Sequence, residues 1–161
     1  MCVPIGSVAN CAILPGYHSD MAYQLDLPSA ARRHLRAAEN LHAATGAGAQ
    51  PGCKAVAGYL FGLAGELAVK QLMRECGLRP LPTKHRREDP FYAHFPDLKR
   101  LLQDQISGRR AGPLVVIAYS SRTFREWSTE MRYAPTQDIS EQRVDEWRHD
   151  ARQLVDQMGT Q

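Results

Sequence analysis

Two groups of residues in this chain have the types and spacing to do chemistry. Glu66 and Lys70 stand four apart with the carboxylate first, the order in which an ion pair supports a helix. Both fall in the most apolar stretch of the sequence. The pair is therefore either that segment's one exposed strip or a half-buried pair aimed at a groove. The second group runs from Arg79 to Arg100, where six cations (Arg79, Lys84, Arg86, Arg87, Lys99, Arg100) meet three anions (Glu88, Asp89, Asp97). His85, Phe91, Tyr92, His94 and Phe95 are interleaved with them. Cations mixed with aromatics can hold a phosphate and stack a base. The competing reading is a solvated loop whose aromatics fold back onto the core.

Other chemistries find no support. The six histidines stand at 18, 34, 42, 85, 94 and 149, with no His-Glu-x-x-His and no Cys/His cluster at ligand spacing, so no metal is expected. His34, His42 and His149 fall on polar helix faces and read as surface residues. The phosphate-cradling and nucleophile-bearing glycine motifs are absent, which removes the commonest nucleotide and acyl-transfer signatures. No cofactor is implied.

The elements that must position these residues are helical. Ser29 is placed to cap a first helix with the stripe Ala31, Leu35, Ala38, Leu41. A second helix begins near 51–53 and runs to Cys76, with Gly77 as its stop. It is apolar almost all round, so it belongs at the centre of a bundle. Gly58, Gly62 and Gly65 share one face there. Each costs about 1 kcal/mol of helix propensity, a cost that close approach of a neighbouring backbone would offset. Residues 78–94 hold no period and form a loop. Pro96 suits the first turn of a third helix, closed by Gly108. The 113–120 segment, rich in β-branched residues, reads as helix because the spacing Leu114, Ile117, Ser121, Phe124, Ser128, Met131 continues through Trp127. Ser140 caps a last helix with Val144, Trp147, Ala151, Leu154, Val155 and Met158 inward. Both tryptophans sit at stripe positions and read as core.

With 161 residues the chain makes one domain that buries about 70% of its unfolded surface. The expected fold is all-α, a four- to five-helix up-and-down bundle over 28–161, with 1–27 a loosely ordered extension and Met21 a candidate start. The net charge of +3 is too small to demand a nucleic-acid partner, although 16 of the 20 cations are arginine, the residue of forked phosphate contacts. Cys53 and Cys76 would lie roughly 34 Å apart on one helix, beyond bridging. Reduced thiols suit a cytoplasmic protein, and neither a signal peptide nor a membrane partner is expected.

The order of these features resembles the HEPN superfamily of small helical bundles. The resemblance spans about residues 28–158. It rests on Ala-x-x-Leu in the first helix, Glu66 with Lys70, His94 with Asp97 and Leu98, and Trp127 with Arg132 and Tyr133. It implies a homodimer that binds RNA, a nucleotide or a protein partner, in the setting of toxin–antitoxin or defence systems. The implied groove residues are Glu66, Lys70, His94, Arg132 and Tyr133. Ribonucleases of the superfamily pair an arginine with a histidine, four to six residues lying between them, and cleave RNA without metal. Arg87 and His94 fit that spacing, and so do Arg36/His42, Arg79/His85 and Arg143/His149. Only Arg87/His94 sits at a loop-to-helix junction beside the basic excess. Glu88 directly after the arginine, and Pro90 and Pro96 around the histidine, depart from the catalytic pattern. The resemblance therefore favours a non-catalytic binding module, with the Arg87/His94 endoribonuclease as the alternative.

Overall fold

Helix α2 (Cys53–Glu75) is the axle of the molecule, and its glycines explain why. In the computed structural model, which describes residues 24–48, 50, 52–106 and 111–159, Gly58, Gly62 and Gly65 are all buried. A Cβ on Gly62 would lie 1.8 Å from Trp127 Cε2, and one on Gly65 would lie 2.3 Å from Phe124 Cε2. The notch thus receives aromatic side chains, not the neighbouring backbone expected from the sequence. Trp127 is fully buried there, and its Nε1–H donates to the Gly58 carbonyl at 3.0 Å. Phe61, Ala64, Ala68, Val69, Leu72 and Met73 bury the rest of the helix. At Gly77 (φ 89°) the chain takes a left-handed turn that a side chain would resist.

Helix α1 (Leu27–His42) and helix α5 (Glu141–Gln157) pack on α2. Asp26, not Ser29, is the N-cap of α1; its carboxylate accepts the Ser29 N–H at 3.0 Å, and Leu27 and Pro28 fill the first turn. Ser140 caps α5 as expected, accepting from the Arg143 N–H. Every apolar position anticipated for α5 is buried, as are both tryptophans.

Ion pairs fix the directions. Lys54 meets Glu141 at the two helix starts (2.6 Å), and Glu75 accepts the Gly159 N–H near the two ends (3.2 Å), so α2 and α5 run parallel. His42 bonds Asp145 while Glu39, earlier in α1, bonds Arg148 and Arg152, later in α5. Helix α1 is therefore antiparallel to both. The alternation of an up-and-down bundle holds between α1 and α2 but not between the neighbours α2 and α5, which the 76–140 crossover joins. His42 is also no plain surface residue, since its ring packs edge-on to Phe61.

Glu39 has a pH consequence. Burial raises its pKa, but hydrogen bonds and charge from Arg148 and Arg152 outweigh that and hold it below the ordinary value of about 4.5. A depressed carboxyl pKa adds stability above the unfolded value and loses it as pH falls through the folded one. Glu39→Gln should therefore lower stability by about 1 kcal/mol at pH 7 and flatten the loss below pH 4.5. Thermal unfolding at neutral and acid pH checks both.

The crossover carries helix α3 (Asp97–Gln105) and helix α4 (Gly112–Tyr119). Segment 112–119 is helical, and no strand occurs among the described residues. The helix does not continue through Trp127, however. Its last turn is closed by α3 side chains: Gln103 donates to the Ala118 carbonyl, and Lys99 Nζ donates to the carbonyls of Ser120 (2.7 Å) and Thr123 (2.9 Å). Ser120 Oγ then accepts from the Arg122 and Thr123 N–H groups. Phe124 and Glu126 follow with positive φ (50° and 62°), a conformation costly for residues other than glycine. Asp150, accepting the Phe124 N–H at 2.8 Å, and Arg143, forked onto Glu126, hold them there. This turn delivers Phe124 and Trp127 into the α2 notch. Beyond it, 129–133 is a 3-10 turn instead of helix. The expected closure by Gly108 and the 1–23 segment, with Cys2, Cys11 and Met21, lie outside the described residues.

The result is an all-helical bundle. No helix among the described residues is long and apolar enough to cross a membrane.

Candidate functional site

Glu66 is the most deeply buried acid on α2, with 2% of its surface exposed. A charge there needs donors, and the crossover brings two. His94 Nδ1 lies 2.8 Å from Oε2, and the Phe95 N–H donates to Oε1 at 2.8 Å. A carboxylate only accepts, so Nδ1 of the histidine carries the shared proton. The ring is held from behind, with its other nitrogen left to solvent; the His94 side chain is 53% exposed. A second carboxylate, Asp89, is fully buried and accepts the N–H groups of Leu81 (2.7 Å) and Phe91 (2.9 Å). That ties the start of the basic loop at Leu81 to its end at Phe91.

Lys70 serves both acids. Burial lowers its pKa below the ordinary lysine value, and the charges of Glu66 and then Asp89 pull it back up. It makes no direct ion pair with Glu66 among the described residues. The expected Glu66/Lys70 pair is thus a charge-balanced support behind the site. Neither residue is among the lining of the groove beside His94.

The groove itself has a volume of about 930 Å³. One wall is the 3-10 segment Thr83–Glu88 with Tyr92, and His94, Pro96 and Arg100 form the floor. Ser128, Thr129 and Glu130 form the far wall. Arg87 and His94 line this one groove together. Arg86 lies over the Tyr92 ring with Cζ 4.4 Å from the centroid, and half of the Tyr92 surface stays exposed. His85 pairs with Glu88, and Arg100 pairs with Asp97. Among the described residues Lys84, Arg86 and Arg87 have no acidic partner. Of the loop aromatics, Phe95 is buried against Phe124 and Trp127, and Phe91 is half-buried. The loop therefore does both things foreseen for it. Two aromatics join the core, while Tyr92 and the cations face solvent.

Arg132 and Tyr133 do not join this groove. Arg132 packs over the Tyr133 ring at 4.7 Å and lines a separate depression of about 400 Å³ beside Tyr59 and Met131. Hydrogen bonds that Arg132 donates to Tyr59 and then to Tyr133 raise its pKa above the ordinary value. The five residues grouped by the resemblance thus separate into Glu66, Lys70 and His94 on one side and Arg132 with Tyr133 on the other. The far wall, Ser128–Glu130, carried no sequence signal, because the 3–4 spacing placed it inside a helix. Asp89 carried none either, since only the fold shows that it is buried.

The other three arginine–histidine spacings lie elsewhere. His42 faces Asp145, His85 its own segment, and His149 a depression lined by Arg122, Arg125 and Asp150. No group of three or more His, Cys, Asp or Glu residues is placed to hold a metal among the described residues. Comparisons with family models, with curated proteins and with solved structures found no match for this chain.

Proposed function

We propose that the protein is a non-catalytic RNA-binding bundle of the HEPN type, with the groove between residues 83–100 and 128–130 as its binding site. The observation that carries this reading is the set of three cations without acidic partners, Lys84, Arg86 and Arg87, beside exposed Tyr92 and the solvent-facing edge of His94. Such cations attract phosphates, and an exposed ring stacks a base without regard to its identity. Single-stranded RNA presents both. The same reading brings the expectation of a homodimer and of a nucleotide or protein partner in a toxin–antitoxin or defence setting.

The test is fluorescence anisotropy with a short single-stranded RNA over a salt series. Three phosphate contacts give a slope of about 2 in log Kd against log salt, at about 0.7 per contact. Arg87→Ala should weaken binding and lower the slope by about 0.7. Affinity indifferent to both salt and Arg87 would contradict the proposal.

One observation favours a second reading, metal-independent RNA cleavage. Arg87 and His94 share the groove, and Glu66 holds the imidazole as a carboxylate holds a general base. In that case the ribose 2′-hydroxyl attacks its own phosphodiester and His94 takes its proton; the bond to the 5′-oxygen of the next nucleotide breaks, that oxygen is protonated by solvent, a 2′,3′-cyclic phosphate remains, and Arg87 stabilises the charge gathering on the phosphate. EDTA-resistant cleavage abolished by His94→Ala would favour this reading over binding alone.

A further inference from the structure

The groove is lined by charges of both signs, and not all of them are paired. Lys84, Arg86 and Arg87 line it without an acidic partner; of its exposed acids Glu88 pairs with His85 and Asp97 with Arg100, while Glu130 has no cationic partner among the described residues. Its backbone N–H is taken by Ser128 Oγ at 3.3 Å, which fixes where the residue leaves the chain. A ligand that offered only phosphate would gain from the unpaired cations and be repelled by the unpaired Glu130. The groove instead suits a molecule with an anionic end and a hydrogen-bond-donating end, with a flat part between them to lie against Tyr92.

A nucleotide has that form, and the acid narrows its base. A carboxylate accepts two hydrogen bonds side by side and donates none. On the Watson–Crick edge, guanine presents two adjacent donors, N1–H and the 2-amino group. Adenine and cytosine each present one amine next to an acceptor, and uracil presents a single N–H between two carbonyls. Only guanine matches both oxygens.

Resting on the RNA-binding reading, we infer that the groove selects guanine, and that Glu130 is its specificity-determining residue. The phosphate lies toward Arg87, and the guanine edge meets the Glu130 carboxylate. This is a recognition contact, and it requires no chemistry at the RNA backbone.

The test measures binding of short uridine oligomers that carry one central guanosine, adenosine or inosine. The wild-type protein should bind the guanosine oligomer about tenfold more tightly than the adenosine one, the usual worth of a bidentate base contact. Inosine, which keeps N1–H but lacks the 2-amino group, should fall between them. Glu130→Gln, at an exposed position, should leave thermal stability unchanged, remove the guanine preference and leave adenosine binding equal or tighter. Equal affinities in the wild-type protein, or a preference that survives in Glu130→Gln, would overturn the inference while leaving the RNA site intact. If no oligomer binds, or binding ignores Arg87→Ala, the RNA-binding reading fails and takes this inference with it.

Discussion

Gly62→Ala should destabilise the protein by about 3 kcal/mol or more, although alanine is the better helix former by about 1 kcal/mol. The new methyl group would sit 1.8 Å from Trp127 Cε2 and 2.1 Å from Nε1. Real atoms do not approach so closely, so the indole has to leave its slot. It would take with it the hydrogen bond to the Gly58 carbonyl and the stacking on Tyr59. Displacing a buried tryptophan ranks with the largest core losses, about 3–5 kcal/mol. Gly58→Ala is the internal comparison. Its Cβ would meet Trp147 and Val144 at 3.1 Å, close enough to need a small shift but no eviction. That variant should stay within about 1 kcal/mol of wild type, because the propensity gain offsets the crowding. Urea denaturation of the two variants checks the contrast. Equal stabilities would mean that the notch does not seat the indole.

Glu66→Ala should cost about 3 kcal/mol and loosen the groove as well. The substitution leaves the Phe95 N–H buried without its acceptor and frees the His94 ring. It also removes the larger of the two charges that sustain Lys70, with Asp89 as the remaining one. Glu66→Gln keeps the shape and one acceptor oxygen but turns an amide donor toward one of the two donors, so its loss should be smaller. In both variants RNA affinity should fall by more than stability alone explains, because His94 no longer holds one orientation. Measuring unfolding free energy and RNA affinity on the same samples separates the two effects. Full RNA binding in a folded Glu66→Ala protein would show that the histidine needs no support.

How much of this was legible before folding depended on distance along the chain. The burial of α2 and the α5 stripe follow from local periodicity, and the structure has both. The 112–119 helix was legible for the same reason, but its end was not. Lys99 and Gln103 terminate it from α3, about 15–25 residues away, and no spacing rule reports a side chain arriving from elsewhere. The consequence reached the site. Once the chain turns at Phe124–Glu126, Ser128–Glu130 becomes a groove wall, while Arg132 and Tyr133 face away. Glu66 was singled out correctly as unusual, but for its neighbour four residues on. Its actual hydrogen-bond partners, His94 and Phe95, come from the loop. Small residues on one helix face announced that something packs closely, and they could not say whether it was backbone or an indole.

The central claim is that RNA occupies the groove in front of the Glu66-held histidine. The imidazole NMR signals of His94, assigned through the His94→Ala variant, measure this most directly during titration with a short single-stranded RNA. The account predicts a saturable shift of the His94 signals, with those of His34, which does not line the groove, unmoved, and loss of that shift in Arg87→Ala at the same RNA concentration. RNA binding that leaves the His94 signals where they were would place the ligand elsewhere and contradict the account.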